Sequence, residues 1–179
     1  MSQVDLKSVI ELLKQYTSEE HKSLKVTLLG GLALHYYGMK GRSTIDIDAE
    51  IEGDLEALFC FLKARNIPSD LSENISGWSV IAMPPGYQDR AMKIHQSAQL
   101  EVRVLDPKDF VIAKLRRFTE EDIEDALFVV KKYQIKPGEI SLSAEAATQS
   151  SIKDTMLFLF KKNVDIFLEK VKKMEKGKS

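Results

Sequence analysis

Two aspartates one residue apart, Asp46 and Asp48, close the stretch "VTLLGGLALHYYGMKGRSTIDID" that runs from Val26 to Asp48. Carboxylates are hard oxygen ligands, and side chains two apart on a strand share one face at about 6.5–7 Å spacing. Held that close they repel, and a divalent cation is the simplest compensator. Mg2+ accepts one or two carboxylates and completes its shell with phosphate oxygens and water. On an open surface the same pair costs little and signals nothing. The upstream half separates these readings. Gly30 and Gly31 lie between the apolar run Val26–Leu29 and the helix-like "LALHYYG". Bare amides and the helix dipole at such a junction attract phosphate, and the missing side chains permit close approach. A phosphate cradle beside a metal-binding pair describes a site for a nucleoside triphosphate.

The flanking elements must position these groups. The run Val26–Leu29 has the length of a short strand, Gly38 is a helix C-cap, and "MKGRS" is a loop. "TIDIDAEI" alternates with period two, which predicts a half-buried strand. Thr44, Asp46 and Asp48 then share one face, while Ile45, Ile47 and Ala49 share the other, toward a core. Upstream, Asp5 to Tyr16 is an amphipathic helix through Leu6, Val9, Ile10 and Leu13, followed by the charged link "TSEEHKSLK". Downstream come the helix "GDLEALFCFLKARN" and three expected strands, "GWSVIAM", "AMKIHQ" and "QLEVRVL", with "PPGYQD" as a turn. Asp106 and Pro107 start a helix, and "TEED" at Thr119 is a capping box that opens another. "KPGEISLS" is a linker, and the chain from about Ala144 to Met174 is helical, with an apolar stripe of Ile152, Met156, Phe160, Val164, Phe167 and Val171. The order predicts a mixed α/β fold, with a core sheet, flanking helices and a helical C-terminal part. Residues 1–138 form the expected core, and 139–179 a helical segment packed on it or extending from it.

The 179 residues are 44% hydrophobic and 30% charged with a net charge of −1, enough apolar material for a core and no bias toward anionic partners. The single cysteine, Cys60, excludes an intrachain disulfide or cysteine zinc site and is expected as a small buried apolar residue. No apolar run reaches membrane length, and "MSQVDLKSV" lacks an apolar signal segment, so a cytoplasmic protein is expected. The basic end, "VKKMEKGKS" with Lys170 before it, reads as a solvated, fraying helix terminus.

The stretch "LLGGLALHYYGMKGRSTIDIDAEI" resembles the core motif of the polymerase-β-type nucleotidyltransferases, in which paired small residues precede a strand bearing Asp-x-Asp. Gly-Gly-x-Ala-Leu, Arg-x-Thr and Asp-Ile-Asp are most similar to the small bacterial group DUF6036 and, more distantly, to AbiEii-type toxins of abortive-infection systems. "LDPKDFVIAKLRRFTEEDIEDALFVV" resembles a later segment of the same proteins, so the likeness spans roughly Val26 to Val130, carried by its two ends. It implies transfer of a nucleoside monophosphate from NTP to an RNA (tRNA included), protein or small-molecule acceptor, in a toxin–antitoxin or phage-defence setting. By analogy, Gly30 and Gly31 hold the triphosphate, and Asp46 and Asp48 ligate Mg2+ or Mn2+.

The family pattern adds a third carboxylate on a later strand, for which Glu101 in "QLEVRVL" is the candidate; pairing with its strand neighbour Arg103 is the equal alternative. Arg42, Ser43 and Thr44 precede the metal strand, where Arg42 either neutralises phosphate or is a solvated loop residue. Lys114 matches the family's Lys-Leu motif; it either contacts nucleotide or ties helices together through Asp122 and Asp125, and the series Lys114, Arg116, Arg117 otherwise reads as a solvent face. His21, His35 and His95 do not cluster in sequence, and His35 is best read as a hydrogen-bonded structural residue. Of Tyr36, Tyr37 and Trp78, at least two are expected in the core rather than on a base. The competing function is a binding module that has lost catalysis and meets a partner protein through its C-terminal helices.

Overall fold

The computed structural model describes residues 5–176. Its elements fall into two compact units, one running up to Ile75 and including Arg90–Leu105, the other formed by 76–89 and the chain from Asp106 onward. The mixed α/β class expected from the sequence is what the chain adopts.

In the first unit, α1 (Leu6–Glu20) begins where the Asp5 side chain accepts the amide of Ser8, and it continues four residues past the expected end at Tyr16. Then come β1 (Leu24–Leu28), α2 (Gly30–Tyr36), β2 (Ile47–Glu52), α3 (Leu55–Ala64), β3 (Ser69–Ser72) and, after a detour that includes the short α4 (Tyr87–Arg90), β4 (Met92–Gln96) and β5 (Leu100–Val104). The strand order is β3-β2-β1-β5-β4. Central β1 runs antiparallel to β2, with Leu28 opposite Ala49, and parallel to β5, with Leu28 opposite Val104.

The period-two pattern decides which face is buried. Val26, Leu28, Ile47, Ala49, Ile51, Leu100 and Val102 form a core with Val9, Leu13 and Tyr16 of α1 and Leu58, Phe61 and Leu62 of α3. Tyr16 meets Phe61 edge-on at 5.2 Å, the arrangement ring quadrupoles favour. The alternate residues of the same strands, Lys25, Thr27, Asp48, Glu50, Glu101 and Arg103, occupy the opposite, polar face.

Several expectations change. "GWSVIAM" is not a strand. Ile75–Trp78 is a 3-10 turn, and the missing strand is β3, whose sequence "SDLS" has too few β-branched residues to announce itself. "KPGEISLS" is not a linker, because Pro137 takes the first helical position and opens a helix. Cys60 is exposed rather than buried, on the outer flank of α3. Only Tyr37 of the three aromatic candidates is core, with its hydroxyl donating to the carbonyl of Leu105 at 2.7 Å; Tyr36 and Trp78 are both exposed.

The second unit holds α5 (Pro107–Arg117), α6 (Glu120–Tyr133), α7 (Pro137–Ser150) and α8 (Met156–Lys176), with α8 packed against the other three. Asp106 caps α5 through the amide of Lys108, and Thr119 and Asp122 form the expected capping box of α6. The expected single helix is broken at 151–155, so only Phe160, Val164, Phe167 and Val171 of the stripe are buried while Ile152 and Met156 are exposed. The end of the basic tail, residues 177–179, lies outside the described residues. Among the described residues no helix is long and apolar enough to cross a membrane.

Candidate functional site

The turn from β1 into α2 stands against the start of β2. Antiparallel pairing carries one step past the strand, where the Leu29 amide donates to the carbonyl of Asp48 at 3.0 Å. That register brings Asp48 beneath Gly30, whose φ of +57° is the left-handed region that favours glycine. A Cβ on Gly30 would lie 1.9 Å from Oδ2 of Asp48. A Cβ on Gly31 would lie 2.5 Å from Cβ of Thr44 and 2.7 Å from its hydroxyl. Thr44 Oγ1 in turn is 3.1 Å from Oδ1 of Asp46. Each glycine therefore seats one arm of the acidic motif. The space left by the absent side chains is filled by Asp48 and Thr44.

Asp46 is not on the strand. β2 begins at Ile47, so Thr44, Ile45 and Asp46 belong to the preceding loop, and Ile45 is 48% exposed instead of joining the core. Asp46 and Asp48 are both half-buried. Arg42 and Ser43 lie in the same loop, where the carbonyl of Arg42 accepts a 2.6 Å hydrogen bond from Nε2 of His35. That supports the structural reading of His35. His95 is on β4 and His21 ends α1, so the three histidines stay apart.

A search of curated proteins returns no relative. Residues 4–136 match the family described as a nucleotidyltransferase of unknown function, DUF6036. The chain belongs to that family. The DUF6036 match takes in the whole of the glycine–aspartate arrangement and ends within a few residues of the start of α7.

Two further candidate residues of this DUF6036 chain are held in ion pairs. Glu101 is level with Lys25 in the β1–β5 register, at the far end of β1 from Gly30. Asp48 is level with Leu29, four positions along, or roughly 13 Å at 3.3 Å per residue. The Glu101 carboxylate is paired with Arg103 and, at 3.0 Å, with Lys93, and their hydrogen bonds hold it below the usual glutamate range. Glu101 therefore takes the ion-pair alternative and does not join the aspartates. Among the described residues no group of three or more metal-ligating side chains is gathered.

Lys114 takes the helix-tying alternative weighed for it. In the second unit its buried ammonium lies 2.7 Å from Asp125 and 3.1 Å from Asp122, tying α5 to α6. Arg117 also clasps Asp122, at 2.7 Å, and Arg116 donates to the carbonyl of Ser76 at 3.0 Å. The expected solvent face is thus a helix-joining network. Burial acts to raise the Asp122 carboxyl, but hydrogen bonds from Arg117 and Thr119 and the charge of Lys114 outweigh it and hold the group far below the ordinary 3.8. The unfolded chain therefore binds this proton more readily than the folded one. Asp122 contributes stability that is present above about pH 4 and is expected to drain away as acid carries the pH through the lower folded value. Denaturant melts between pH 5 and pH 2 check this, and Asp122→Asn is expected to flatten the dependence.

Sequence reasoning missed Glu50. It is buried on the polar face two residues past Asp48, and its Oε2 accepts the amide of Ile75 at 2.9 Å. The signal was present, since "DIDAE" sets three acids at period two, but nothing in the pattern tells a backbone anchor from a ligand. Gly30→Ala follows from the geometry. The positive φ alone costs about 1–2 kcal/mol, and Asp48 must also move aside. Stability is expected to fall by about 2 kcal/mol or more, as read by denaturant unfolding.

Proposed function

We propose that this chain is a Mg2+-dependent nucleotidyltransferase that moves a nucleoside monophosphate from an NTP onto a hydroxyl of RNA, protein or a small molecule. The observation carrying it is the seating of Asp48 on Gly30, and of Thr44 with Asp46 on Gly31. The donor set suits the ion: two half-buried carboxylates are hard ligands, and Mg2+ needs no more than one or two when substrate phosphates and water supply the rest. Asp46 and Asp48 would hold it. When bound, the ion neutralises triphosphate charge and lowers the pKa of the acceptor hydroxyl.

The chain's own part is positioning, as in phosphoryl transfer generally. The first amides of α2 have no intrahelical carbonyl to meet, so Gly30 and Gly31 can present theirs to phosphate. Arg42 adds positive charge from the loop. The acceptor oxygen bonds to the α-phosphorus as the bond to the bridging oxygen breaks, pyrophosphate leaves, and the acceptor proton passes to water. A toxin–antitoxin or phage-defence setting is what the AbiEii likeness suggests.

The test is incubation with each labelled NTP, Mg2+ and cellular RNA or protein, comparing the native chain with Asp46→Ala/Asp48→Ala. Label transferred only by the native chain supports the reading, and equal transfer by both overturns it. A second reading, a binding module without catalysis, is favoured by the chain beyond the family match, where Leu142 and Phe158 on the helices and Ile152 in the break between them are each more than two-thirds exposed. Absence of Mg2+·ATP binding by calorimetry, with stable co-purification of one partner protein, would select it.

A further inference from the structure

We infer that Thr44 is a positioning residue for Asp46, held in place by Gly31 and His35 on one face of α2; this rests on the aspartate pair being the cation site proposed above. Asp48 is fixed by strand register and by contact with Gly30. Asp46 lies one residue before β2 and lacks that framework. What orients it is Thr44, whose hydroxyl is 3.1 Å from Oδ1 and 3.3 Å from the carbonyl of Asp46, a local two-residue bridge of the kind threonine makes in turns.

Thr44 is 7% exposed while its neighbours Ser43 and Ile45 face solvent. It is buried because it lies on the bare α-carbon of Gly31. Four residues along the same helix, His35 holds the carbonyl of Arg42. Residues four apart share a helix face, so the returning loop is fastened to α2 at two points, Arg42 on His35 and Thr44 on Gly31. A carbonyl only accepts, so Nε2 of His35 is the donor in this contact. The Thr44 hydroxyl engages Oδ1 and leaves Oδ2 as the oxygen for a cation. Partners that orient metal ligands from behind typically change affinity by about 10–100-fold when removed.

The experiment is Mn2+ binding to the full chain, read by electron paramagnetic resonance with and without ATP, alongside thermal unfolding. Thr44→Ser keeps the hydroxyl and is expected to bind within about twofold of the native chain. Thr44→Ala and Thr44→Val remove it and are expected to bind at least about 10-fold more weakly. Native affinity in whichever of Thr44→Ala and Thr44→Val folds, while Asp46→Asn/Asp48→Asn loses binding, overturns the positioning role alone. Equal loss in Thr44→Ser and Thr44→Ala also overturns it, because the hydroxyl is then not the cause. A native chain that takes up no Mn2+ overturns the cation site as well.

Discussion

Lys114→Met is expected to destabilise the protein by about 3–5 kcal/mol, the usual penalty when one partner of a buried ion pair is removed and the other charges stay behind. Lys114 and Arg117 together balance Asp122 and Asp125, and without the lysine the cluster keeps an uncompensated negative charge in a buried place. Methionine replaces the aliphatic stem, so the loss isolates the ammonium. At about 2–4 °C per kcal/mol for a chain of this size, the melting temperature should drop by roughly 6–20 °C. Lys114→Met/Asp125→Leu is expected to recover much of this, because the Arg117–Asp122 pair is then neutral by itself. A double variant no better than the single one would show that the network is not coupled. The same experiment separates the two roles weighed for Lys114, since a nucleotide-contacting lysine would lower activity without lowering the melting temperature.

The second large effect contrasts Asp48→Asn with Glu101→Gln. Asp48→Asn removes a charge from the proposed cation site, and a contribution of about 4 kcal/mol there corresponds to a loss on the order of 10³-fold in transfer rate. Glu101→Gln is expected to leave transfer within about twofold, because its carboxylate is engaged with Lys93 and Arg103 at the other end of β1. Its cost falls on the pairing of β5 with β4 instead, as a loss of under about 1 kcal/mol in unfolding. Comparable losses of activity in both variants would mean that Glu101 reaches the metal after all, and would reverse the assignment made from register.

The two halves of the site were unequally legible. The glycine pair and the spacing of Asp46 and Asp48 could be read directly, because close packing of a turn and a period of two leave marks in residue type. That Asp46 stands in the loop could not, since "TIDID" alternates as cleanly as the strand it leads into. The distance between Glu101 and the aspartates depends on which strand neighbours which and in what direction, and local pattern carries no information on that. β3 was invisible for the opposite reason: it is a short edge strand with polar side chains, stabilised by pairing with β2 rather than by its own preferences. The break at 151–155 hid behind apolar residues that kept helical spacing across it.

The glycine–aspartate contact joins two ends of one contiguous strand–helix–strand stretch, whereas the other neighbour of β1, β5, is recruited from far down the chain. Closing the first loop carries a small entropic toll and closing the second a larger one. Acids and turn should accordingly find each other early in folding, before the distant strand docks. Of the chain between β2 and β5, α3 and β3 are built into the first unit, whereas 76–89 belongs to the other one, so insertions within 76–89 are expected to leave that nucleus intact.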